Sequence, residues 1–218
     1  MYRFLFFRRA AAGLLSVLLL ASACGCGKDQ GEGGSSMSSA GVSAEENTQG
    51  NDEDSSILDF FKGKGDSSGR EGSDKESLKR VGEEKYGFLQ VPDDWKDYVD
   101  SEVAAVSGLS LKQFCDASGK LIITLNYSEG SQVDAQEAAS SCWAQMEQDG
   151  AQNIQGSTVK LAGCKAYQVY GYYTNDDVML VIWVFTDKDG TLHYISAEGP
   201  LDSVMDCVKL VEDTFSLK

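Results

Sequence analysis

The chain has 218 residues, with 19 Lys and Arg against 34 Asp and Glu, for a net charge of −15. Such a balance excludes a surface built to grip nucleic acid, since acidic side chains repel a phosphate backbone. The length suits one domain with a sizeable core together with a long appendage.

The first segment carries Arg3, Arg8 and Arg9, then residues 10–23 without any charge. A positive start followed by a short apolar run that ends in small residues is the pattern of a secretory signal. Fourteen uncharged residues are fewer than the roughly 20 that a spanning helix needs. Ala21, Ser22 and Ala23 before Cys24 resemble a bacterial lipobox, in which a cysteine becomes the mature N-terminus. The aliphatic run 18–20 ends at the right distance from Cys24. Cys26, preceded by Ala23, Cys24 and Gly25, is the alternative. The resemblance implies residues 1–23 as a lipoprotein signal peptide and a diacylglyceryl group on the cysteine. It therefore implies a membrane partner and a place at the extracytoplasmic side of the cell membrane. Two acyl chains, palmitate among the usual ones, hold stably where one is marginal. The first 23 residues hold three arginines and no acid, so the remainder carries 16 basic against 34 acidic residues, net −18.

Residues 24–85 are rich in Gly, Ser, Asp and Glu, as in "GEGGSSMSSAGVSAEENTQGNDEDSS". Little there can be buried, so a disordered tether is expected. Some 55 residues of this kind span roughly 40 Å. Ile57, Leu58, Phe60 and Phe61 form an apolar island within it. Ser73 and Glu76 have capping-box spacing, which predicts a short helix carrying Leu78 and Val81.

Residues 86–218 read as one domain. "YGFLQVP" is a strand stopped by Pro92. "SEVAAVSG" and "LSLKQFC" are short strands, and "LIITLNY" places Leu121, Ile123, Leu125 and Tyr127 on one face. Ala135, Ala138, Ala139, Cys142 and Met146 recur at helical spacing, giving a helix begun near Ser131. "STVKLAG", "CKAYQVYGYYT", "VMLVIWVFT" and "TLHYISAEG" follow with short turns between them, so they are expected as antiparallel neighbours. Leu201, Val204, Met205, Val208, Val211 and Phe215 form the stripe of a last helix with Pro200 at its start. Residues 178–185 are apolar without a break, and a strand apolar on both sides requires cover on both faces of its sheet. The fold class expected is α+β: an antiparallel sheet flanked by helices on both faces, an α/β/α sandwich.

The opening "YGFLQVPDDW", the helix ending in "MEQDGAQ", the hairpin "STVKLAGCKAYQVYGYY" and the final "DTFSL" together resemble the PsbP-like domains. The resemblance covers about residues 86–217. It implies the α/β/α fold and an accessory or binding role, and it brings no catalytic residues with it.

Chemistry-bearing residues are sparse. His193 is the one histidine and is expected as a packing or surface residue, since no nucleophile-elbow sequence accompanies it. No Gly-rich phosphate loop is present. Asp187 and Asp189 begin like a calcium loop, but Gly190 follows too soon, and a hairpin turn is expected. Asp93, Asp94, Asp176 and Asp177 lie in acidic turns that would hold a cation weakly if they met. Cys115, Cys142, Cys164 and Cys207 show no CxxC, and three pairings stay open for them. Tyr167, Tyr170, Tyr172 and Trp183 are the candidate lining of a ligand cleft. The functional expectation is a non-enzymatic binding or accessory module for an envelope protein, with no cofactor, no metal and no nucleic acid. The alternative is a ligand- or cation-capturing lipoprotein.

Overall fold

The computed structural model describes residues 77–98 and 111–218. Cys24, Cys26, the island at 57–61, Ser73, Glu76 and the strand expected within 101–108 lie outside the described residues. Among the described residues, nine strands and two helices follow in the order β1 (Leu78–Glu83), β2 (Gly87–Pro92), β3 (Lys96–Tyr98), β4 (Leu111–Cys115), β5 (Ile122–Ser128), α1 (Ala135–Gln148), β6 (Gln152–Leu161), β7 (Cys164–Tyr173), β8 (Val178–Thr186), β9 (Leu192–Gly199) and α2 (Leu201–Thr214).

The helix expected around Leu78 and Val81 is instead strand β1. Its register with β2 runs from Leu78 opposite Pro92 to Glu83 opposite Gly87, so tertiary pairing overrides a weak local helix signal. The fold thus begins before Tyr86, within the stretch read as tether. The β1–β2 hairpin is a separate two-stranded sheet; the main sheet has seven strands in the order β3-β4-β5-β9-β8-β7-β6, all pairs antiparallel. Phe88 and Ser216 exchange two backbone hydrogen bonds of 2.8 Å, which fasten the hairpin beside the end of α2.

The unbroken apolar run of β8 behaves as its sequence requires. Val181, Trp183 and Phe185 join a core with Val204, Cys207, Val208 and Val211 of α2 and with Leu89 and Val91 of β2. Leu180, Ile182 and Val184 point the other way and join Ala138, Ala139, Cys142 and Met146 of α1. The two helices therefore cover opposite faces, and the molecule is an α/β/α sandwich. Helix α1 starts later than expected: Asp134 is its N-cap and accepts from the Glu137 N–H at 2.8 Å. Ser131 is engaged in a local turn with Val133 instead.

Turn chemistry sets the hairpins. Leu161 pairs with Cys164 across the two residues Ala162 and Gly163, whose φ values are 50° and 84°. Two left-handed residues match the twist of the flanking strands. Alanine tolerates that conformation poorly, so Ala162→Asn is expected to raise stability by about 1 kcal/mol. A urea midpoint that does not move upward would contradict this.

Candidate functional site

The four aromatic candidates do not line one cleft, because residues 167 and 170 of a period-two strand face opposite ways. Tyr167 lies on the α1 face, half-buried, with its hydroxyl 3.2 Å from Gln136 Oε1. Tyr170 and Trp183 are core residues of the α2 face, 5% and 0% exposed. Tyr170 donates to Gln155 Oε1 at 2.9 Å. Trp183 donates its Nε1–H to Glu212 Oε1 at 3.3 Å, and Gln168 Nε2 reaches the same oxygen at 2.8 Å. Ser157 donates to Gln168 Oε1. This partly buried polar set joins β6, β7, β8 and α2. Tyr172 is half-buried and donates to Asp177 Oδ1 at 2.7 Å, a bond that raises its hydroxyl pKa. The expected cleft is thus replaced by core packing and hydrogen bonds that close turns.

His193 is also a packing residue. It is 2% exposed and stacks on Phe185 with ring centroids 5.0 Å apart. Its Nε2 lies 3.1 Å from Asp187 Oδ2. Because a carboxylate only accepts, Nε2 carries the proton. Asp187 Oδ1 accepts from the Asp189 and Thr191 N–H groups, each at 2.9 Å, so "TDKDG" is a hairpin turn closed by its first aspartate. Burial pushes the Asp187 carboxyl up. The hydrogen bonds from His193 and from the Thr191 and Asp189 N–H groups outweigh it and hold the carboxyl below its usual value.

Cys115, Cys142, Cys164 and Cys207 are free thiols. Burial pushes Cys142 up to about 12, and burial with the nearby Asp206 and Asp116 pushes Cys207 up to about 12. Cys164 is raised by burial and then by the Asp187 carboxylate. A thiol held protonated is a poor nucleophile. In Asp187→Asn the second cause is gone, and iodoacetamide should modify Cys164 faster at pH 8, as read by the mass of its peptide. An unchanged rate would remove Asp187 as a cause.

The arrangement that sequence reasoning missed is a polar row across the sheet on the α1 side. Tyr98, Gln113, Thr124 and Ser196 are successive cross-strand partners on β3, β4, β5 and β9. Gln113 Nε2 donates to Thr124 Oγ1 at 3.1 Å. Asn126 stands opposite Tyr194, and Ile122 opposite Glu198, in the flanking rows. Gln113, Asn126, Tyr194 and Glu198 are each 6% exposed. Burial raises the Tyr194 hydroxyl pKa; Tyr173 is raised by burial first, then by Asp149 and Glu198. Helix α1 packs on β6, β7 and β8, the half of the sheet away from β4 and β5. Alternation in "IITLNYS" and "LHYISAEG" is the row's one sequence signal, because polar residues recur at one parity of both strands after Ile122 and Leu192. Among the described residues no three His, Cys, Asp or Glu side chains are grouped to hold a metal ion. Among them, too, no helix is long and apolar enough to cross a membrane.

No family model and no curated protein matches the chain. Among solved structures, a crystal structure from Bacteroides thetaiotaomicron is similar with a TM-score of 0.41 and 12% identity, over 66% of this chain and 49% of that one; the chain spans about half the length of this neighbour. The Ran-binding protein Mog1p of Saccharomyces cerevisiae gives a TM-score of 0.44 at 13% identity, over 65% of this chain and 96% of that one. LpqN of Mycobacterium tuberculosis, involved in cell envelope biogenesis, gives 0.38 at 17% identity, over 75% and 97%. Likenesses of this strength say nothing of activity.

Proposed function

We propose that the chain is a lipid-anchored extracytoplasmic protein whose domain serves as a non-enzymatic accessory module for a protein of the cell envelope. The observation that carries this reading is how the chemistry-bearing side chains of the described domain are engaged. Asp187 and His193 close a turn, Glu212 ties α2 to the sheet, and the Tyr172 hydroxyl is held by Asp177. Such a domain displays a surface. The lipobox-like residues before Cys24 and the acidic stretch that follows support its display above a membrane.

Two measurements on protein taken from its own cells test the reading. Mass spectrometry of the N-terminal peptide should find a diacylglyceryl group on Cys24 or Cys26; an unmodified cysteine behind a longer N-terminus would overturn the anchor. Cross-linking in intact cells should join the domain to an envelope protein; repeated recovery of uncross-linked chain alone would overturn the accessory role.

A further inference from the structure

We propose that the outer edge of β6, beside Trp143, takes up an extended acidic segment of a partner protein as an added strand. The inference rests on the accessory reading above and gives it a surface. Strand β6 ends the sheet, and among the described residues its ladder partner is β7 alone. Alternate residues of this ten-residue strand turn their backbone donors and acceptors outward, a template for another strand. A bulge between Gln152 and Gln155, with Asn153 at φ 52°, breaks the start of the edge. From Gln155 to Leu161 the register is regular, and no proline or acidic residue blocks it.

Two features give this edge a preferred occupant. The first is apolar. Trp143 is 38% exposed, one of two large hydrophobic residues exposed among those described. A Cβ on Gly156 would lie 3.4 Å from its ring, so the indole lies over bare backbone of the edge strand. Ile154 is half-buried on the same face. An added strand would lay a side chain against the open part of the indole.

The second is charge. Lys160 and Lys165 are direct cross-strand partners, and both are exposed. Like charges placed opposite one another oppose strand pairing. The Lys165 ammonium lies 4.9 Å from the centre of the Tyr167 ring, and no carboxylate among the described residues pairs with either lysine. In a chain of net charge −15, Lys160 on the edge strand and Lys165 beside it on β7 form a local positive pair. A carboxylate on the added strand level with Lys160 would relieve their repulsion. The same lysines disfavour a second copy of this chain, whose own edge brings positive charge.

The test uses the full chain in its own cells, carrying the photo-cross-linker benzoylphenylalanine at Thr158 or at Lys188 in the β8–β9 turn. The expected result is a cross-link from 158 and none from 188, with the linked residue mapped to an extended, acid-containing segment of another protein. Its yield should fall at least ten-fold in Lys160→Glu with Lys165→Glu, and five-fold or more in Trp143→Ser. Circular dichroism of the purified variants should match the parent. Cross-links from 188 but not from 158 would overturn this surface and leave the accessory reading standing. Silence at both positions would overturn both. Linkage from 158 to a second copy, to residues 57–61 of the same chain or to a segment without acids would overturn the occupant. So would a yield that the lysine replacements leave unchanged.

Discussion

Gly87→Ala is expected to lower the stability of the domain by about 3 kcal/mol, with the urea midpoint falling accordingly. Gly87 has φ 86°, which a side chain adopts only with strain, and it closes the β1–β2 hairpin opposite Glu83. A Cβ there would stand 2.4 Å from Phe215 Cζ and 3.1 Å from the Ser216 carbonyl oxygen. The ring cannot easily withdraw, because Phe215 is 6% exposed and packs edge-on against Phe185 at 5.9 Å. Adding Phe215→Leu to Gly87→Ala should therefore restore part of the loss, whereas Phe215→Leu alone should destabilise. A midpoint unmoved by Gly87→Ala would mean that the hairpin does not dock against the end of α2.

Asp187→Ala should cost about 3 kcal/mol at neutral pH, because two backbone N–H groups and the His193 Nε2–H lose one shared acceptor. Asp187→Asn keeps an acceptor oxygen for the two N–H groups and should cost about 1 kcal/mol. The pH dependence has a definite sign. The folded carboxyl is held below its unfolded value, so its contribution is complete above the unfolded value of about 3.9 and fades as pH falls through the folded one. The parent should lose stability in that acid window more steeply than Asp187→Asn. Parallel curves of midpoint against pH for the two proteins would contradict the assignment.

What the sequence disclosed follows from the range of the forces involved. Residues 178–185 required apolar cover on both sides of β8, and the cover is there: α2 over Val181, Trp183 and Phe185, α1 over Leu180, Ile182 and Val184. The hairpins around Ala162–Gly163 and Asp187–Gly190 were legible because turn residues act locally. Strand β1 was not legible, since "LKRVGE" has little periodicity of its own and takes its form from β2. The aromatic cleft failed on parity: Tyr167 and Tyr170 are an odd number of residues apart and so face opposite layers. The polar row was hidden for a different reason. Tyr98, Gln113, Thr124 and Ser196 come from four strands, and only the register of three pairings makes them neighbours.

The placement of the β1–β2 hairpin outside the main sheet has a mechanical consequence. A pull entering from the N-terminal side at Ser77 meets first the bond from the Asp93 N–H to the Ser77 carbonyl, then the Leu78–Pro92 pair, then each pair in turn toward Glu83 and Gly87. These rungs are loaded one after another, as in a zip, and each yields at low force. The last rung, Glu83 opposite Gly87, lies beside the ion pair from Lys112 of the main sheet to Glu83 and beside the clasp between Phe88 and Ser216. The hairpin thus turns its free end toward the incoming chain and keeps its fastenings at the far end.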